Sequence, residues 1–108
     1  MNNEERIKAL GELLAKDQND AFSRYALALE YNSLGETDKA IDELQELIRR
    51  DPNYIAAYRQ LGQLYAKMNK TREAKKYYRK GIELAEETND SHAKREMEEE
   101  LEEIEDEW

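Results

Sequence analysis

The chain has 108 residues, 39% hydrophobic and 40% charged, with 26 acids against 17 bases and no cysteine. That length supports one modest core, the composition is that of a soluble helical chain, and the lack of cysteine excludes a disulfide framework and a thiolate metal site. The N-terminal "MNNEERIKALGELL" carries acids where a secretory signal needs bases, and the longest apolar run, "YALAL", is far too short for a membrane span, so a cytoplasmic protein with no membrane segment is expected.

Six helices are predicted in chain order, at about 3–16, 20–34, 37–50, 54–68, 71–88 and 90–107. The first carries Ile7, Leu10, Leu13 and Leu14, which stand 34 residues before Ile41, Leu44, Leu47 and Ile48 of the third. "DQND" at 17–20 then matches "DPNY" at 51–54. In the second helix Leu27, Tyr31 and Leu34 share a face, as do Leu61, Tyr65 and Met68 in the fourth. Superimposing 21–54 on 55–88 leaves five identities: Leu27/Leu61, Tyr31/Tyr65, Thr37/Thr71, Ala40/Ala74 and Ile48/Ile82. Gly35 and Asn69 fall where a helix ends in the left-handed conformation, and each Thr falls where the next helix needs an N-cap. The chain is therefore a repeat of helix, tight turn, helix. A half-repeat at 6–20 precedes repeats 21–54 and 55–88, and 89–108 forms a terminal helix. All four pieces are expected in a single domain, because one helix pair cannot bury its own apolar face.

This pattern resembles the tetratricopeptide-repeat family. Its signature of Trp-x2-Leu-Gly-x2-Tyr, then Ala-x3-Phe, then Pro is approached by Tyr58, Leu61, Gly62, Tyr65, Ala74 and Tyr78 in the second repeat, and by Leu27, Ala28, Tyr31, Ala40, Leu44 and Pro52 in the first. The resemblance implies an all-α fold, a right-handed α-solenoid of antiparallel helix pairs, and a role as a scaffold for protein partners. Leu27, Tyr31, Leu34, Leu61, Tyr65, Met68, Ala40, Leu44, Ala74 and Tyr78 are expected in the core. Gly62 and Ala28 are small where paired helices cross. Gly81 costs a helix about 1 kcal/mol relative to Ala, which calls for a close contact there.

Opposite the core face of the second helix lie Phe22, Tyr25, Leu29 and Asn32, three of them large and apolar where a surface helix should be polar. The resemblance implies that this side lines a concave groove. Repeat two offers Ala56, Arg59, Gln63 and Ala66 at the equivalent positions. An apolar wall facing an Arg/Gln wall suits a short peptide or partner helix with one apolar anchor and a nearby carboxylate or amide. The competing reading covers Phe22, Tyr25 and Leu29 with the chain's own last helix. One subgroup of the family clamps acidic chaperone tails with Lys, Asn and Arg. The corresponding positions here are Tyr25, Leu29, Gln60, Asp90 and Lys94, of which only Lys94 matches, so that function is not carried over.

In repeat register the last helix would present His92, Arg95, Glu96 and Glu99 to the core, yet its apolar stripe is Ala93, Met97, Leu101, Ile104 and Trp108. That stripe reads as a cap over repeat two. The alternative is a self-association seam through Met97, Leu101, Ile104 and Trp108, which leaves a monomer or a weak homodimer. Glu96 to Glu107 holds nine acids and no base, while Lys67, Lys70, Arg72, Lys75, Lys76, Arg79 and Lys80 form a basic stretch. The acidic helix is expected to fold back and soften that field. The basic stretch has no base-reading motif, so nucleic acid is excluded as a partner. One histidine, no Gly-containing calcium loop and no phosphate loop argue against an enzyme, a metal site or a cofactor.

Overall fold

A computed structural model describes residues 1–105, which are helical and free of strands: α1 (Asn3–Lys16), α2 (Ala21–Ser33), α3 (Thr37–Arg50), α4 (Ile55–Lys67), α5 (Thr71–Glu87) and α6 (Ser91–Glu105). Every predicted helix is present within two residues of its bounds. The expected end of the last helix at 107, and Trp108, lie outside the described residues. The chain divides into two compact units, residues 1–54 and 55–108, meeting at the boundary that the repeat register gives.

The turns explain the register. α1 and α3 both close into an Asp-led loop: the Asp17 and Asp51 amides donate to Leu13 and Leu47, and the Asp20 and Tyr54 amides return to the Asp17 and Asp51 carbonyls. Gly35 (φ 78°) and Asn69 (φ 61°) are left-handed as expected. The next residue then donates back five positions, Glu36 to Tyr31 at 2.9 Å and Lys70 to Tyr65 at 2.8 Å, the bond that completes a Schellman closure. The threonines differ from expectation. Thr37 and Thr71 are the first helical residues, and the cap positions belong to Glu36 and Lys70, which make no side-chain cap bond. The working side-chain caps are Asn2, Asp20 and Asp90, accepting from the amides of Glu5, Ser23 and Ala93.

α5 runs to Glu87 and closes at a third left-handed residue, Asn89 (φ 60°). As a result α6 starts 36 residues after α4, whereas α4 starts 34 after α2. Allowing for those two residues, Leu27, Leu61 and Met97 are each the seventh residue of their helix. Tyr31, Tyr65 and Leu101 are each the eleventh. The apolar stripe that looked out of register is in register with its own helix start.

In the first unit, Leu14, Leu27, Ala28, Ala40, Ile41, Leu44 and Leu47 are buried. In the second, Ala57, Tyr58, Leu61, Leu64, Ala74, Tyr78, Leu84, Ala85 and Met97 are. Leu34 departs from expectation at 45% exposed, because it follows the last residue of α2 and sits on the turn. Tyr31, Tyr65 and Met68 are half-buried and rim the core. Tyr31 lies under the Lys39 ammonium, and Tyr65 stacks on Tyr77 with centroids 5.5 Å apart. The glycine expectations hold. A Cβ on Gly62 would stand 2.8 Å from the Tyr78 ring, and one on Gly81 would meet Met97 Sδ at 2.5 Å. Among the described residues no helix is long and apolar enough to cross a membrane.

Candidate functional site

The residues assigned to the groove fall in both units. On α2, Phe22 is 74% exposed and Leu29 38% exposed. Tyr25 is half-buried, its ring tilted against Tyr54 at 5.4 Å between centroids. Burial, aided by Tyr25 and Asp51, pushes the Tyr54 hydroxyl above its ordinary pKa. Asn32 is half-buried, and its side-chain carbonyl oxygen is buried with no hydrogen-bond partner. Phe22, Tyr25 and Leu29 thus share a side of α2 that the unit's own core does not use, since Leu27 and Ala28 carry the buried face.

The opposite side of α2 is held firmly. Arg24 stands where the family signature has an aromatic residue, and it is buried. Its guanidinium donates to Glu43 at 2.7 Å and to the backbone and side-chain oxygens of Gln18 at 3.0 Å. Glu30 of α2 accepts from Asn3 and Arg6 of α1 at 2.5 and 2.6 Å. The Arg6 hydrogen bond, more than burial opposes, holds the Glu30 carboxyl below its ordinary pKa.

In the second unit Ala66 packs against the core cluster of Ala74, Tyr78, Ala85 and Met97. Arg59 and Gln63 already hold a carboxylate, and it belongs to the chain itself. Glu100 of α6 accepts from Arg59 at 2.5 and 2.8 Å on one oxygen, and from Gln63 at 3.0 Å and the Tyr78 hydroxyl at 2.9 Å on the other. Glu96, one turn earlier, reaches Arg59 at 3.2 Å. Burial alone would raise the Glu100 pKa. The donors from Arg59, Gln63 and Tyr78 outweigh it, and the net shift is downward. Burial, reinforced by Glu100, raises the Tyr78 hydroxyl well above its ordinary value.

This carboxylate grip is what sequence reasoning missed. A helical wheel places Arg59 and Gln63 on a free side, but it carries no information on which distant acid reaches them. A signal was available in Glu96 and Glu100, spaced four apart on the flank of the Ala93–Met97–Leu101 stripe. Acids there must lie beside whatever the stripe packs on.

The stripe itself packs inward. Met97 is 0% exposed, and Ala93, Leu101 and Ile104 lie against the core of the second unit. That is the geometry of a cap. The expected neutralisation of the basic stretch is only partial. α6 packs on α5, yet among the described residues only Arg79 of that stretch pairs with an α6 acid, Glu105 at 3.4 Å. His92 is exposed and lies 3.2 Å from Glu96. Among the described residues no group of three His, Cys, Asp or Glu side chains is placed to hold a metal ion.

Comparison with known proteins accounts for this arrangement. Two family models match, a TPR repeat over residues 28–69 and a tetratricopeptide repeat over 55–88. A TPR repeat-containing protein of Pseudomonas aeruginosa is 29% identical over 91 residues, spanning 84% of this chain and 87% of its own. The solution structure of a tetratricopeptide repeat domain protein from Salinibacter ruber is 33% identical, with a TM-score of 0.80, and the match covers 85% of this chain and 93% of that one. The TPR2B domain of yeast Sti1, solved in a complex with pHsp70, shares the fold at a TM-score of 0.87 and 20% identity, over 94% of this chain and 82% of that one. The chain belongs to the tetratricopeptide-repeat family.

Proposed function

We propose that the chain is a protein-interaction module that takes an apolar anchor of a short peptide or partner helix on the α2 surface of Phe22, Tyr25 and Leu29. One observation carries this reading. Phe22 and Leu29 are exposed on the side of α2 that the core leaves unused, and a large apolar side chain in water is a cost that binding recovers. Asn32 extends the same row, and its buried, unpartnered side-chain oxygen accepts a partner N–H only once the side chain turns outward. Arg59, Gln63 and Ala66, the other residues assigned to a groove, lie in the second unit. A partner carboxylate at Arg59 and Gln63 must compete with Glu100, so the apolar anchor on α2 supplies most of the affinity. No catalytic step is part of this reading.

The test is a peptide-display selection on the immobilised chain, followed by titration of the selected peptides. Selected sequences should share a large apolar residue, and Phe22→Ser should weaken them by about 1–3 kcal/mol. Peptides that bind equally well to Phe22→Ser and Leu29→Ser would end the proposal.

A further inference from the structure

The second surface that the fold leaves unexplained is the start of α5. Lys67, Lys70, Arg72, Lys75 and Lys76 lie within ten residues that contain one acid, Glu73, in a chain of net charge −9. Lys67, Lys70, Arg72 and Lys76 are exposed and Lys75 is half-buried. Among the described residues none of the five forms an ion pair, although Lys76 lies over the Tyr77 ring at 5.4 Å from its centroid. Further along the helix Arg79 and Lys80 are paired, with Glu105 and Glu83. Of the α6 acids, Glu96 and Glu100 are engaged by Arg59 and Glu105 by Arg79.

These cations also work against the helix that carries them. A helix N-terminus bears partial positive charge and its C-terminus partial negative charge. α5 places Lys70 at its N-cap with no side-chain cap bond, and Arg72, Lys75 and Lys76 in its first two turns. Its last turn has no base, and Glu83, Glu86 and Glu87 stand near that end. Neither the core nor the helix dipole requires this arrangement, and folding alone would favour the reverse.

We infer that the cationic surface at the α4–α5 turn and the start of α5, carrying the exposed Lys67, Lys70, Arg72 and Lys76 and the half-buried Lys75, docks a short acidic protein segment rich in Asp and Glu, independently of the α2 surface. Its size selects that partner. Arg72 to Lys76 spans roughly 6 Å along the helix, comparable with the screening length of about 8 Å at physiological salt. An anionic stretch of a few residues fits inside it. A nucleic-acid duplex or an anionic bilayer extends past the patch on every side, and further along the same helix Arg79 already meets the acid Glu105 of α6. Carboxylates spaced along a flexible segment can meet the cations one by one, and the surrounding negative charge then opposes anything longer.

The experiment uses the full chain and a labelled peptide of about four alternating Asp and Glu residues, followed by fluorescence anisotropy. Binding should be measurable at about 0.02 M salt and at least about tenfold weaker at 0.3 M. Lys70→Glu/Lys76→Glu should weaken it at least about tenfold, whereas Lys16→Glu on α1 should leave it unchanged. The same double variant should melt at the same temperature as the parent or higher, because it restores the charge order that the dipole favours. The inference is overturned if the peptide does not bind at low salt, or binds the double variant equally. It is also overturned if an RNA duplex or a phosphatidylserine vesicle binds more tightly under the same conditions, or if the double variant melts lower, which would give the cations a structural role.

Discussion

The two units follow one outline and finish it differently. The first is a second-type helix, a first-type helix and a second-type helix, and the other reverses the order and ends on α6. Every large hydrophobic side chain that is exposed among the described residues (Met1, Leu13, Phe22, Leu29 and Leu34) belongs to the first unit. Leu13 occupies the position of Leu47 in α3, which is 1% exposed in a helix packed on α2, whereas Leu13 of α1 is 47% exposed. The second unit covers its end with α6, whose eighth residue is Glu98 where α2 has Ala28 and α4 has Gly62. At Gly62 there is no room even for a Cβ. A glutamate at that position is far larger than the Ala28 and Gly62 it replaces. The two half-repeats are therefore not equivalent: α1 leaves a leucine exposed, and α6 buries its methionine.

The comparison is broken most severely in the cores. Leu27→Ala and Leu61→Ala delete the same leucine from each unit, and both should cost about 2–5 kcal/mol in urea unfolding. Met97→Ala should fall in the same range, because Met97 is as buried as Leu61 and fills the space over Gly81. A loss below about 0.5 kcal/mol at Met97 would mean that α6 is an appendage and not a cap.

A smaller effect separates the two units at one register position. Arg24 and Tyr58 are each the fourth residue of their helix, and both are buried. Arg24→Met removes the partner of Glu43, whose side chain is partly solvated. The cost should therefore be about 1–3 kcal/mol, below that of breaking a fully buried pair. Arg24→Tyr/Glu43→Tyr installs the residues that the second unit has at both positions. It should recover most of that loss, since a buried ion pair is often no more stabilising than the apolar contacts that replace it. If the double variant is worse than the single, the ion pair stabilises the first unit in a way an aromatic pair cannot.

Helices were legible because each follows from neighbours in sequence. Apolar spacing set the bounds of all six, and Gly35 and Asn69 stood at the turns that needed them. What sequence did not supply were facts decided between helices. Threonine was read as a cap, but Gly35 and Asn69 are each followed by one linking residue, Glu36 or Lys70, which takes the cap position. The apolar row of Phe22, Tyr25 and Leu29 was visible on a wheel. That Arg59 and Gln63 hold Glu100 was not, because the three extra residues of α5 set where α6 begins, and those residues are as helical as their neighbours.

The carboxylate grip gives the second unit a pH dependence. Glu100 has a folded pKa depressed below its ordinary 4.5. Its stabilising contribution is therefore complete above about pH 4.5 and is lost as pH falls through the folded value. Glu100→Gln should lower stability by about 1–2 kcal/mol at pH 7, and the gap to the parent should close on acidification below pH 4.5. Glu46, held down to about 2 by Arg49 and Arg50, is a contrasting case on the exposed side of α3. Solvent screens that pair, so Glu46→Gln should show a weaker pH-dependent difference despite the larger shift. Chemical denaturation at a series of pH values measures both. Equal profiles would show that the grip on α6 is no stronger than a surface pair.

The smallest effect on stability is expected at the residue with the largest role in the proposed function. Among the described residues Phe22 is more exposed than any large hydrophobic other than Met1. Its removal opens no cavity, so Phe22→Ala should change unfolding free energy by less than about 0.5 kcal/mol. Tyr25 is a less clean probe, since its ring also packs on Tyr54, and Tyr25→Ala should cost more than Phe22→Ala but less than Tyr31→Ala. Tyr31 is in register with Tyr65 and rims the core under Lys39. The order Phe22, Tyr25, Tyr31 is thus a gradient from the proposed binding surface to the core along one helix. Unfolding curves for the three alanine variants read it directly. If Phe22→Ala destabilises as much as Tyr31→Ala, the ring is buried in solution, and the α2 surface has no anchor to offer a partner.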